Sequence, residues 1–257
     1  MPLLFLGHGS PMNAIEDNPW SRSFAALGRA LPRPRAILAI SAHWLSPEPR
    51  LSSSPAPATV HDFGGFPPAL HAMQYPAPGS PELAGQVSQL LGGAGLDPQA
   101  GLDHGSWSVL AHLYPAADIP VVQLSLGRSL SAAQHLELGR QLAPLRDEGV
   151  LILGSGNIVH NLPEAIRQRM RGESIPPDWA VAFDTQVAEA LEARDTATLL
   201  GVLEANPAGA QAHPTPEHWW PLLYVYGASD QGDQLSFPIT GFDWGSISMR
   251  SVFFRPA

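Results

Sequence analysis

The chain has 257 residues, of which 44% are hydrophobic and 14% charged, with a formal net charge of -9 and no cysteine. Such a chain is long and apolar enough to bury a substantial core, and its composition is not that of a disordered one. The missing cysteines exclude disulfides and thiolate metal sites, and the acidic balance, with no basic cluster, argues against nucleic acid or an anionic membrane as partner.

The opening Met1-Pro2-Leu3-Leu4-Phe5-Leu6 lacks a basic leader and a cleavage site, and no apolar run approaches the ~20 residues that span a bilayer, so a cytosolic protein is expected. In chain order, short apolar runs at Leu3–Leu6, Ala36–Ser41, Val121–Ser125 and Val150–Leu153 read as strands buried on both faces. Amphipathic stretches at 19–30, 81–92, 106–114 and 131–146 read as helices, with Ser80 and Ser131 as N-caps. The polar, Pro-containing region 163–178 reads as a loop or lid, 179–204 as helical, and Ser246–Phe254 as a last strand. Strands alternating with helices predict an α/β fold with a mostly parallel central sheet flanked by helices. No repeat or linker divides the chain, so one catalytic domain over 1–257 is expected.

In open α/β sheets, ligands sit beyond the carboxyl ends of the strands. Histidines occupy those places: His8 and His43 after the first two strands, and His160 after the fourth. Parallel strands would bring these three to one sheet edge, where imidazoles suit Fe or Zn. Any one of them alone reads equally well as a loop histidine bonded to backbone. His104 in Asp103-His104-Gly105-Ser106-Trp107 and His218 in Pro214-Thr215-Pro216-Glu217-His218 have similarly unusual settings, and His61 in a Gly- and Phe-rich segment is a weaker candidate. His71, His112 and His135 read as ordinary surface or core residues, and Ser10 and Ser155 as backbone-turn residues without a nucleophile-elbow motif.

Read together, Gly7-His8-Gly9-Ser10-Pro11-Met12, Ser41-Ala42-His43-Trp44, His61-Asp62-Phe63-Gly64-Gly65-Phe66, Tyr75-Pro76-Ala77-Pro78-Gly79, Asp103-His104-Gly105-Ser106-Trp107, Gly156-Asn157-Ile158-Val159-His160-Asn161 and Pro214-Thr215-Pro216-Glu217-His218 resemble, in order, the class III extradiol dioxygenases of the LigB type. The likeness runs from Leu3 to about Phe253 and is strongest to the 4,5-DOPA dioxygenase extradiol branch. The resemblance implies one mononuclear divalent metal, Fe(II) for dioxygenase activity with Zn(II) also possible, and a small catechol and O2 as substrates. By motif it places the metal on His8, His43 and His218, with Glu217 as the alternative third ligand. It makes His160 the acid/base and His104 an active-site histidine. His61, Trp44 and Phe63 are the residues expected to position or wall the substrate. A zinc hydrolase using the same histidines and a non-catalytic metal-binding protein on this fold are the rival readings, and a homo-oligomer stays open.

Overall fold

The computed structural model describes residues 1–256. Ten strands are present among them: β1 (Leu3–Gly7), β2 (Ala36–Ser46), β3 (Arg50–Ser52), β4 (Gly95–Asp97), β5 (Val121–Gly127), β6 (Val150–Gly156), β7 (Gln234–Ser236), β8 (Phe242–Asp243), β9 (Ile247–Ser248) and β10 (Val252–Arg255). The helices are α1 (Pro19–Ala30), α2 (Pro68–His71), α3 (Pro81–Leu90), α4 (His104–Leu113), α5 (Ala132–Leu142), α6 (Leu162–Arg171), α7 (Asp178–Glu192), α8 (Thr196–Ala205), α9 (Gly209–Ala212) and α10 (Trp220–Gly227).

Eight strands form one sheet in the order β4-β3-β5-β2-β6-β1-β10-β7. Its centre, β5-β2-β6-β1, is parallel throughout, and β10 and β7 add antiparallel strands at one side. Side-chain alternation along each central strand supplies two apolar layers. Leu3, Phe5, Leu38, Ile40, Val122, Leu124 and Ile152 face the layer built with α3, α5, α7 and α10. Leu4, Leu6, Ile37, Ala39, Val121, Leu151 and Leu153 face the layer built with α1 and α4. These strand side chains are fully buried, and all but Ala39 each contribute ~1.5–3 kcal/mol relative to exposure. That explains why the runs lack the polar alternation of a half-exposed sheet.

The mostly parallel sheet flanked by helices is as expected, and four local expectations are corrected. Region 163–178 is not a loop throughout: it contains most of α6, capped by Asn161, whose side chain accepts from Glu164 N, and ended by Gly172 in the left-handed region (φ 70°). Pro163 sits in the first turn of α6, where its missing N–H costs nothing. The 179–204 helix is two, because Arg194 turns left-handed (φ 53°) and Asp195 caps a new helix by accepting from Thr198 N. The last strand divides into β9, paired with β8, and β10, paired with β1 and β7. Ser155 lies inside β6 and not in a turn. Among the described residues no helix is long and apolar enough to cross a membrane.

Candidate active site

The parallel centre brings the carboxyl ends of β1, β2 and β6 to one edge, as the histidine pattern requires. His8 follows β1 directly, and its backbone N–H donates to the Gly156 carbonyl at 3.0 Å, tying it to the end of β6. His43 lies within β2 and not after it. The pairing of β2 with β5 shifts between Ile40 and Leu45, and His43 is carried on that irregularity, the kind of local bulge that re-aims a side chain. His218 stands on a short 3₁₀ turn, Pro216–His218, whose last carbonyl accepts from Asn157 N at 3.0 Å. A Cβ on Gly156 would lie 2.2 Å from the His218 carbonyl oxygen, so glycine at the end of β6 is what lets this turn close on the sheet. His160 is fixed by its N–H to the Ala212 carbonyl at 2.9 Å and by a bridge to Ile247.

The rings converge. His8 Nε2 and His43 Nε2 are 3.2 Å apart. The His218 ring centroid is 5.3 Å from that of His8 and 4.9 Å from that of His43, and the His160 ring stacks on His218 at 3.4 Å with an interplanar angle of 3°. The His104 ring approaches His43 to 3.8 Å. Among the described residues, the tightest set of metal-capable donors is His8, His43 and His104, whose nitrogens lie within 4.8 Å of one another. Sequence reasoning placed His218 in that set and His104 beside it.

Hydrogen bonds decide which nitrogens carry lone pairs. The Ser155 hydroxyl has one proton and donates it to the Gly105 carbonyl at 2.5 Å. Toward His8 Nδ1, 2.9 Å away, it can therefore only accept. His8 is thus protonated at Nδ1, and its Nε2 lone pair faces His43. His43 Nδ1 lies 3.6 Å from Asp62 Oδ2, which favours its proton on that side too. Two lone pairs then meet at 3.2 Å, close to the ~3.0–3.4 Å that separates two nitrogens bound to one ion at ~2.1 Å. His218 is 4% exposed, and neither of its ring nitrogens has a hydrogen-bond partner. An unsatisfied buried polar group costs on the order of 1–3 kcal/mol, and because this ring lines the cavity an ion there would supply the missing partner. The donor chemistry fits a divalent ion.

Burial dominates the electrostatics. It lowers the pKa of His8, His43 and His218 well below the ordinary imidazole value, and neighbouring histidines add to the effect on all three. Burial also brings His160 down to about 3. All four rings are therefore neutral at physiological pH and offer lone pairs.

Asp62 is the residue that sequence reasoning quoted but gave no role. It accepts from the His104 backbone N–H at 2.9 Å, and its Oδ2 lies 3.0 Å from His104 Nδ1. Burial pushes its pKa up, but His104 outweighs that and holds the carboxyl below its ordinary value. Asp103 caps α4 by accepting from Ser106 N, and it also takes the Ser41 hydroxyl at 2.7 Å and the Gln123 amide. Burial, helped by the charge of Asp62, raises Asp103 to about 6. This buried network locks α4, and with it His104, against β2 and β5. Its members are dispersed over four segments, so no local motif betrays them.

These groups open into a cavity of about 700 Å³. Phe63 and Phe66 line it, with Phe63 edge-on to His104 at 5.4 Å between centroids. Trp44 and His61 are not among its lining residues, and His61 Nε2 is bonded to the Met73 carbonyl at 2.9 Å. The ordinary histidines are as expected where they are bonded: His112 to the Asn13 carbonyl and His135 to Tyr224 in the core.

Residues 2–243 match the family model of the catalytic LigB subunit of aromatic ring-opening dioxygenase. The chain is 48% identical to the 4,5-DOPA dioxygenase extradiol of Escherichia coli K12, over 98% of this chain and 94% of that one. It is 39% identical to the 4,5-DOPA dioxygenase extradiol of Beta vulgaris, over 97% of this chain and 95% of that one. The crystal structure of an uncharacterized protein from Escherichia coli K12 superposes with a TM-score of 0.85 at 44% identity, covering 98% of this chain and 99% of that one.

Proposed function

We propose a substrate and a division of labour for this site from one premise: the chain belongs to the LigB family and is an extradiol aromatic ring-opening dioxygenase. The substrates are a small, DOPA-like catechol and O2. His8, His43 and His218 hold one divalent ion, and His160 moves protons. His104, oriented by Asp62, positions the substrate against Phe63.

The observation that carries this reading is the pair of facing Nε2 atoms on His8 and His43 at 3.2 Å, with Ser155 fixing the His8 lone pair toward the gap. His218 is taken as third ligand because the family resemblance places it there and its Nε2, buried at the cavity, has no partner; His104, whose Nδ1 faces Asp62 at 3.0 Å, keeps its own Nε2 available and is the rival third ligand. When bound, the ion, Fe(II) for dioxygenase work, would gather the catechol oxygens and O2 and make the catechol hydroxyls more acidic. Three neutral imidazoles suit zinc as well, so the ligand set by itself does not choose the metal.

The remaining work falls to side chains. His160, neutral through burial, offers a ring nitrogen to a catechol hydroxyl proton and returns that proton later in the reaction. Its stack on His218 and its backbone bond to Ala212 restrict where the ring can go. Phe63 and Phe66 exclude water from one side of the cavity and present flat apolar surface to an aromatic ring.

Metal content of single variants tests the assignment. His8→Ala, His43→Ala and His218→Ala should each lose the ion, while His104→Ala and His160→Ala keep it. Loss in His104→Ala as complete as in His8→Ala, with retention in His218→Ala, would move the third ligand to His104.

A further inference from the structure

All fourteen basic side chains of this chain are arginines, and none of them lines the cavity. Three carboxylates do: Asp62, Glu217 and Asp243. Two of these are engaged. Asp62 serves His104, and Glu217 takes the Thr215 hydroxyl at 2.7 Å and lies 3.5 Å from His218 Nδ1. Asp243 has no such commitment to the histidines. The Trp20 side chain hydrogen-bonds it, and burial still raises its pKa above the ordinary carboxylate value. A carboxylate in that condition is stabilised by a cation that arrives with the ligand.

Its position suits a substrate side chain. Asp243 pairs with Ile247 across the β8–β9 hairpin, and Ile247 bridges His160. Two rungs of ~5 Å place the Asp243 backbone roughly 10 Å from that of His160. That is comparable with the reach of a phenethylamine from its ring hydroxyls to its nitrogen. The next residue, Trp244, is a bulky side chain held left-handed (φ 46°), and its ring also lines the cavity. Such strain in a bulky residue persists only where the surroundings impose it. Arg169 lies over the Trp244 ring at 4.3 Å, and its charge is felt at Asp243, but it does not reach the cavity wall.

We propose that the cavity selects catechols whose side chain ends in an ammonium group, with Asp243 as the specificity-determining carboxylate that receives it. This rests on the catechol reading above and goes beyond it. A catechol carrying only a carboxylate would bring a fourth carboxylate beside Asp62, Glu217 and Asp243 with no cation to meet it, which is discrimination by repulsion as much as by attraction.

The test uses the full chain loaded with Zn(II), without O2, so that binding is read separately from turnover. Dissociation constants are measured calorimetrically for dopamine, L-DOPA, 4-methylcatechol and 3,4-dihydroxyphenylacetate, and O2 uptake of the Fe(II)-loaded protein is then compared across the same four. Dopamine should bind at least about tenfold tighter than 3,4-dihydroxyphenylacetate, the worth of one charge-assisted hydrogen bond, with the other two between. Asp243→Asn should shrink the dopamine-to-carboxylate ratio by about the same factor. Binding of the carboxylate as tight as that of dopamine, or a ratio unmoved in Asp243→Asn, overturns the selectivity alone. So does a carboxylate preference that Arg169→Ala abolishes. Failure of all four catechols to bind or to be cleaved overturns the catechol reading itself, and the selectivity with it.

Discussion

Removal of the Ser155 hydroxyl isolates the one group that fixes the His8 lone pair. Ser155→Ala deletes a single buried oxygen and leaves one orphan, the His8 Nδ1–H, because the Gly105 carbonyl lies within α4 and keeps its place in the helix ladder. At ~1–3 kcal/mol for one unsatisfied group, the metal-free protein should lose about that much stability, or roughly 2–12 °C in Tm for a chain of this size. The separate and more telling effect is on the ion. Without Ser155, the His8 ring can take either tautomer and swing, and loss of such a partner typically lowers metal affinity ~10–100-fold, equivalent to about 1.4–2.7 kcal/mol. Competition against a coloured chelator gives that number directly. Ser125→Ala is the control. Its hydroxyl is equally buried, contacts Ser46 Oγ and Arg50 N, and touches no histidine of the site. The control should lose stability but bind metal as before. Equal metal affinity in Ser155→Ala and the unaltered protein would refute the tautomer reasoning and leave Ser155 as a packing residue.

Three further outcomes are expected. Gly156→Ala would place a Cβ 2.2 Å from the His218 carbonyl oxygen, so it should displace the 216–218 turn, cost on the order of 1–3 kcal/mol in thermal stability and lower metal content while far-UV circular dichroism stays near native. His160→Ala should keep the ion and lose ~10²–10⁴-fold in kcat, measured by O2 uptake. His135 is a core histidine remote from the site whose pKa burial lowers to about 4. The unfolded chain takes up that proton first, near its ordinary ~6.5, so stability should fall as pH drops from about 6.5 to about 4, by up to roughly 3 kcal/mol, and level off below. Denaturant titrations of His135→Leu should show a correspondingly flatter pH dependence over that window.

The histidines at strand ends were legible because a strand buried on both faces is nearly all apolar, and a polar ring just beyond it stands out. His8 and His160 illustrate this, and the structure brings both to one sheet edge with His43. The helix α6 was not legible, because Pro163 and the run of charged residues after it read as loop. The decisive signal there is Asn161 as cap with Pro in the first turn, which is a start signal and not a breaker. Asp62 and Ser155 were invisible as functional residues for a different reason. Asp62 meets a histidine 42 positions away, and Ser155 meets one 147 positions away, so neither leaves a local pattern. Only the tertiary close approach of β1, β6 and α4 reveals them. The choice between His104 and His218 is likewise beyond pattern, since both sit in short polar segments and both rings reach the site, and metal content of the two alanine variants decides it.

The central claim is that this cavity opens a catechol ring with O2 on a histidine-held ion. The most direct measurement is anaerobic loading with Fe(II), followed by admission of O2 with L-DOPA in an oxygen electrode. The account predicts uptake of one O2 per catechol consumed, with appearance of a yellow ring-opened product, and no uptake by His8→Ala. Fully loaded protein that consumes no O2 with L-DOPA, dopamine or simple catechols would contradict it.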